Sequence, residues 1–487
     1  MFKVTRIIVR HAIRALTFGA LGAVLVLVTV AVIYLNGRAD LHVWHLAELD
    51  EEFTARSKVE TFADYLELEE RLFKQLDELV YAKVKSDAGS PINRYNRGSL
   101  SDPQRWEMNW NHSFELRADK PRAMVLLLHG MSDSPYSLHH LGERLHKAGA
   151  HVLGLRIPGH GTAPSGLVEV TWKDMAAAVR LAVRHLKELG GDRPIHIVGY
   201  SNGAALAVNY ALATLEDASL PKVDSLVVLS PAIGVTSVAA LAVWQARLGH
   251  LLGLEKLAWN AIQPEYDPFK YVSFAVNAGD QVYRITSKIQ TQLDTLGQAG
   301  RLGEFPSILA FSSVVDATVS TPALVLNLFE RLPPDGHELV LFDINRMAEI
   351  GPILNSDPIA TVHALQDNLD RNFTLSLVTN KHPRTHKVEV RTRRPGEKME
   401  IESDLGLAWE ADLYSLTHVA LPFPPNDPLY GGHPDDKETE LHLGDIALRG
   451  ERGVLRISAS DMLRLRWNPF YPYVEKRVLA FLGLNGS

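Results

Sequence analysis

Gly199-Tyr200-Ser201-Asn202-Gly203 sets a serine between two glycines, directly after the apolar run Ile195 to Val198 and before a small-residue stretch opening with Ala204 and Ala205. A strand that turns sharply into a helix around a serine needs small neighbours on both flanks. The turn lifts the hydroxyl above the sheet, to the helix N-terminus. Ser201 is therefore the candidate nucleophile. A serine attacking an acyl carbonyl also needs fixed donors for the oxyanion that develops, and backbone N–H groups supply them without rearranging. The run Met124 to Leu128 ends in His129-Gly130-Met131-Ser132-Asp133-Ser134-Pro135, so the expected donors are the backbone N–H groups of Met131 and Asn202.

The elements that must position these groups are legible as short apolar, β-branched runs: Met124 to Leu128, Val152 to Leu155, Ile195 to Val198, Leu226 to Leu229, Ile308 to Phe311 and Leu339 to Phe342. They alternate with helical stretches such as Thr171 to Leu189 and Gly203 to Leu215. That alternation predicts an α/β domain with a mostly parallel sheet covered on both faces. Two stretches break the rhythm. About 233–303, with Trp244, Leu248, Leu251, Leu252, Leu257, Trp259, Ile262, Phe269 and Tyr271, is expected to form a helical cap over the carboxyl edge of the sheet. About 347–416 is expected to be a late insertion with a few extra strands, such as Leu375 to Val378 and Lys387 to Val390. Upstream, Ser57 to Val84 carries apolar residues at three- and four-residue steps and predicts an amphipathic helix packed on the domain or serving as a stalk, with Ser57 and Glu60 as its capping box.

With these motifs in view, the chain resembles an α/β-hydrolase of the monoglyceride lipase and serine aminopeptidase-like branch, in a membrane-anchored bacterial version. The resemblance rests on Leu126-Leu127-Leu128-His129-Gly130, Arg156-Ile157-Pro158-Gly159-His160-Gly161, Gly199-Tyr200-Ser201-Asn202-Gly203 and Ser415-Leu416-Thr417-His418-Val419-Ala420-Leu421-Pro422-Phe423, and covers about 124–482. It implies an α/β-hydrolase fold and a triad in the chain order Ser, acid, His. The acid belongs in the loop after the strand that follows the cap, which points to Asp316 just past Pro306 to Phe311, with Asp343 as the rival. For the base, His418 fits the family pattern despite the long insertion before it, and His363 and His433 are its rivals. His129, His139, His140 and His160 are expected in structural hydrogen bonds. The resemblance further implies hydrolysis of carboxylic esters, with hydrophobic or lipid-like acyl groups if the apolar cap residues line a pocket and not merely the cap's own core. Amide or peptide hydrolysis by the same triad, and an inactive hydrolase scaffold used as an envelope binding module, are the alternatives.

From Ala15 to Leu35 run 21 residues without a charge, long enough at about 1.5 Å per residue for a bilayer's hydrocarbon core. Lys3, Arg6, Arg10 and Arg14 precede it, and Asp40, Glu48, Asp50, Glu51 and Glu52 follow. By the positive-inside rule the sequence predicts a cytoplasmic tail (1–14), a signal anchor in the inner membrane (15–35), a helical extension (36–120) and a hydrolase domain (121–487) outside the cytoplasm, with a cleaved signal peptide and a buried soluble helix as the rival readings of the run. The 487 residues carry 57 acids against 50 bases, a net charge of -7 that offers no electrostatic footprint for nucleic acid. Absence of cysteine excludes disulfides, thiolate nucleophiles and thiolate metal sites. With neither H-E-x-x-H nor a Walker loop, no cofactor, metal or nucleotide is expected.

Overall fold

Alternation within the apolar runs separates two layers. Met124, Leu126 and Leu128 join one buried cluster while Val125 and Leu127 join another, and Leu226 and Val228 part from Val227 and Leu229 in the same way, because successive side chains of a strand face opposite sides of the sheet. The computed structural model describes residues 2–84, 91–234, 254–334, 336–348, 357–397, 401–433, 441–444 and 463–485. Its main sheet contains β1 (Phe114–Leu116), β2 (Ala123–Leu128), β3 (Ala150–Leu155), β4 (Ile195–Tyr200), β5 (Ser225–Leu229), β8 (Ser307–Ser313), β9 (Glu338–Phe342), β10 (Thr374–Asn380), β11 (Lys387–Arg393) and β12 (Ile401–Ala408). A separate antiparallel pair is made by β6 (Trp259–Ala261) and β7 (Phe274–Ala275). The order in the large sheet is β1-β3-β2-β4-β5-β8-β9-β10-β11-β12. Neighbours from β3 through β10 are parallel, and the pairs β1–β3, β10–β11 and β11–β12 are antiparallel.

Six strands expected from the sequence thus form the parallel centre. The stretch expected as a late insertion does more than decorate it: β10 pairs parallel with β9, Leu375 opposite Leu339 and Val378 opposite Phe342, so the core sheet continues one strand further before the antiparallel extension begins.

Helices α3 (His139–Lys147) and α8 (Tyr471–Phe481) cover one face through Leu141, Leu145, Val474 and Val478. The other face is covered by α4 (Trp172–Gly190), α5 (Asn202–Glu216) and α6 (Val276–Gln298). The placement of α6 corrects the expected cap boundary. Ile285, Ile289 and Leu293 are buried in the same cluster as α4 and α5, and Asn209 of α5 donates to Gln292 of α6 at 2.8 Å. Amphipathic periodicity predicts a buried stripe and is silent on what covers it; here the cover is the body of the domain. What remains over the sheet edge among the described residues is 254–275. Trp244, Leu248, Leu251 and Leu252 lie outside them.

The helix expected over 57–84 is α2 (Phe62–Leu79), and its cap differs from the expected one. Thr61 accepts from the Asp64 N–H while the Asp64 carboxylate accepts from the Thr61 N–H, whereas Ser57 closes a turn with Thr54. Phe62, Tyr65 and Leu68 enter the core beside α4, each contributing roughly 1.5–3 kcal/mol relative to exposure. The extension is therefore packed on the domain. Its polar seal is Arg156, fully buried, which donates to Glu69 from Nε at 3.0 Å and to Glu52 from Nη1 and Nη2 at 3.1 and 3.0 Å.

The anchor expectation finds no such support. Among the described residues no helix is long and apolar enough to cross a membrane, and Val24, Leu27, Val28 and Ala31 of the run have side chains outside that description. One helix, α1 (Phe2–Asn36), does contain the whole run. Most of its described apolar side chains are exposed, Leu16 at 74%, Phe18 at 71% and Ile33 at 68%, while Leu35 near its end is buried. Beyond its end, Arg38 donates to the carbonyls of Lys256 and Asn260 at 2.7 and 3.3 Å, and Lys256 pairs with Asp40 at 2.8 Å.

Candidate active site

The turn from β4 into α5 is built by the two flanking glycines. A Cβ on Gly203 would stand 2.1 Å from the Leu128 carbonyl oxygen, and one on Gly199 would meet the Ala204 backbone at 2.6 Å. Between them Ser201 adopts φ 53° and ψ -113°, a left-handed conformation that costs a non-glycine residue on the order of 1 kcal/mol or more. The surroundings hold it there. The Ser201 N–H donates to Leu229 O at 2.9 Å, and Ser201 O accepts from the N–H groups of Ala204 and Ala232, both at 3.1 Å.

Three elements then converge. Ser201 Oγ lies 3.0 Å from His418 Nε2, and His418 Nδ1 lies 2.9 Å from Asp316 Oδ2. A carboxylate has no proton to give, so Nδ1–H donates to Asp316 and Nε2 is left to accept from the serine hydroxyl. Asp316 follows β8 and precedes α7 (Thr321–Asn327). Its other oxygen accepts from the N–H groups of Thr318 and Val319 at 2.8 and 2.9 Å. Burial by itself would raise the Asp316 carboxyl, but His418 and these two N–H groups outweigh it and hold it below the usual carboxylate range. His418 opens a short turn whose loop is tied down on both sides: Ser313 Oγ donates to Leu416 O at 3.0 Å, and Asn468 N–H donates to Phe423 O at 2.8 Å.

The rival assignments fall elsewhere. Asp343 is spent on Arg346 and Thr379 at 2.7 Å each, His433 pairs with Glu410 on the surface, and His363 is exposed on a helix spanning Pro358–Asp367. As expected, His129 and His160 are structural. His129 Nε2 accepts from the Ile157 N–H at 3.0 Å and its Nδ1 faces Gly130 O. Burial lowers both imidazoles, His160 to about 4.

Among the described residues the backbone N–H groups of Met131 and Asn202 donate to no backbone carbonyl. The arm carrying Met131 is fixed by contacts the sequence did not disclose. Ser132 sits at φ 66°, its carbonyl accepts from the Tyr271 N–H at 2.8 Å, and Asp133 pairs with Lys270 at 2.5 Å. Asp267 in turn accepts from the N–H groups of Phe269 and Lys270 and from Tyr430 Oη. Two charged residues, Asp267 and Lys270, set among Tyr266, Phe269 and Tyr271 were the available signal. Trp259, Phe269 and Tyr271 are each 2% exposed; Phe269 stacks on Tyr136 and Trp259 packs on His45. These three belong to internal packing, the alternative left open for the cap aromatics. A separate cavity of about 280 Å³, lined by Phe73, Arg97, Asn111 and His112 among others, touches none of the triad.

A mostly parallel sheet between helices, a serine on a strained strand-to-helix turn, and an acid and a histidine reaching it from later loops together define an α/β-hydrolase fold. Residues 119–294 match the family described as serine aminopeptidase, S33. A thermostable monoacylglycerol lipase from Bacillus sp. (strain H-257) is 25% identical over 172 residues, 35% of this chain and 65% of that protein, so the chain spans less than two thirds of that relative. Among solved structures, monoacylglycerol lipase of Paleococcus ferrophilus is 20% identical, with 48% of this chain and 88% of that one covered at a TM-score of 0.37. A soluble variant of the Saccharomyces cerevisiae monoglyceride lipase is 13% identical, with 47% and 82% covered at 0.37.

Proposed function

We propose that the protein is a serine hydrolase that cleaves carboxylic esters with hydrophobic, lipid-like acyl groups through Ser201, His418 and Asp316. The observation carrying this reading is the unbroken chain from Ser201 Oγ to His418 at 3.0 Å and from His418 to Asp316 at 2.9 Å. His418 Nε2 takes the hydroxyl proton as Ser201 Oγ attacks the acyl carbon. Asp316 keeps the proton of the imidazole on Nδ1 and stabilises the imidazolium, and the Met131 and Asn202 N–H groups receive the oxyanion. His418 then returns the proton to the leaving alcohol. Water repeats the cycle on the acyl-enzyme, with His418 as base, to release the acid.

The lipid-like substrate and a membrane location belong to the same proposal. They are supported by the exposed apolar side chains of α1 and by the tie from Arg38 and Asp40, beyond the end of that helix, to Lys256 and Asn260 beside β6. Segment 259–275 starts at that tie, and within it the Tyr271 N–H donates to the Ser132 carbonyl on the arm that carries Met131. Basic residues before the run and acidic ones after it favour an extracytoplasmic catalytic domain. The family description favours a second reading, amide or peptide hydrolysis by the same residues. Labelling with a fluorophosphonate and mapping of the labelled peptide tests the nucleophile. Turnover of an aryl acetate against an aminoacyl arylamide separates the two reactions, and faster arylamide turnover would overturn the ester reading.

A further inference from the structure

Asp427 is a fully buried carboxylate with an uneven set of partners. Oδ1 is saturated, accepting from Tyr136 Oη at 3.0 Å and from the N–H groups of Leu429 and Tyr430 at 2.9 and 2.7 Å. Among the described residues Oδ2 accepts no hydrogen bond. It faces His140 Nε2 at 3.2 Å, and that nitrogen is likewise buried without hydrogen-bond geometry to any partner. The neighbouring His139, 5% exposed, turns Nδ1 to the Tyr136 carbonyl. A carbonyl only accepts, so the proton sits on Nδ1 and the Nε2 lone pair is free to ligate. Ligand atoms from the three side chains lie within 4.8 Å of one another.

We propose that His139 Nε2, His140 Nε2 and Asp427 Oδ2 form a binding site for a divalent transition-metal ion, with zinc the best match. Two imidazoles and one carboxylate are a borderline nitrogen and oxygen set that suits zinc, with water as the fourth ligand, whereas calcium and magnesium take oxygen ligands throughout. A second-sphere carbonyl that fixes the tautomer of His139 is the usual companion of a ligating histidine. His140 keeps a quarter of its side chain exposed. The ion joins the start of α3, just downstream of the arm carrying Met131, to the loop that follows His418, and so clamps two parts of the active site from outside it. The inference is independent of the reaction proposed above.

The test uses the full chain, stripped with a chelator and titrated with zinc chloride by equilibrium dialysis, with thermal unfolding followed in parallel. One zinc per chain and a melting temperature that rises until that equivalent is bound are expected. His140→Gln, at a partly exposed position that tolerates the change, should weaken zinc binding by about 100-fold, since loss of a mere second-sphere partner already costs 10- to 100-fold, and should abolish the thermal shift. Asp427→Asn, which keeps an acceptor for Tyr136, Leu429 and Tyr430, should do the same. A wild-type chain that binds no stoichiometric zinc, or a His140→Gln chain that binds it with wild-type affinity, overturns the site.

Discussion

Two buried charge networks in this protein differ in one respect. Around Arg156 the guanidinium donors go to Glu69, Glu52 and the His160 carbonyl, and Glu69 also accepts from the N–H and hydroxyl of Ser113. Around His418 the chain of partners ends on a hydroxyl, that of Ser201, which is partly open to solvent. The first network pairs a permanent cation with two carboxylates, and no step of the proposed reaction passes through it. It fastens the N-terminal extension to the sheet. In the second, a proton can shift from Oγ to Nε2 with Asp316 ready for the charge that results. Mutual ion pairing makes a clamp, and a hydroxyl left partly open to solvent is where the proposed reaction begins.

The sharpest way to break the second network is at its open end. Ser201→Ala should lower ester turnover by about 10⁶-fold, to the level that oxyanion donors and binding sustain alone, with the thermal unfolding midpoint retained and fluorophosphonate labelling lost. Labelling that survives would move the nucleophile elsewhere. Asp316→Asn should cost about 10⁴-fold in kcat, because the amide at Oδ2 can favour the wrong imidazole tautomer while leaving the geometry intact. Comparable losses from His363→Ala or His433→Ala would contradict the assignment of His418.

Breaking the clamp should instead unfold the protein. Arg156→Met leaves Glu52 and Glu69 facing one another without their shared cation, and removing one partner of a buried pair costs about 3–5 kcal/mol. Urea unfolding should register that loss while the kcat of the remaining folded enzyme changes little. The pH dependence has a definite sign. Burial would raise the Glu69 carboxyl, but His112, Arg156 and the Ser113 N–H together hold it below its ordinary value. A depressed carboxyl stabilises the fold fully above its unfolded pKa of about 4.3, and that stabilisation fades as pH falls through the lower folded value. Glu69→Gln should therefore flatten the acid limb of stability measured below about pH 4.

These two networks were unequally legible in the sequence. Ser201 could be read directly, because the glycines, the preceding strand and the following helix lie within a dozen residues. Asp316 and His418 became visible only through family resemblance, since chain order alone cannot bring loops 102 residues apart together. The Arg156 clamp went unread for the same reason: its partners sit 104 and 87 residues upstream, and acids on an amphipathic helix ordinarily face solvent. Periodicity identified α6 as a helix but not the surface it covers. The register of β10 was equally hidden, because a parallel pairing depends on a crossover and leaves no local turn signature.

The smallest expected effect probes the arm between the two networks. Lys270 neutralises Asp133 at 2.5 Å, with Asp133 nearly buried and Lys270 less than a third exposed. A Cβ on Gly130 would lie 2.6 Å from the Asp133 carboxylate, so this charge stands beside the turn that presents the Met131 N–H. Lys270→Met keeps the length of the side chain and removes its charge, leaving an uncompensated carboxylate close to where negative charge develops in the transition state. The change should lower kcat by about tenfold, equivalent to about 1.4 kcal/mol, with KM nearly unchanged because the ground-state ester carries no charge there. Restoring neutrality with Asp133→Asn in the same chain should recover most of that loss. A change confined to KM, or a double variant no faster than Lys270→Met, would mean that the pair shapes the substrate wall and leaves the oxyanion donors untouched.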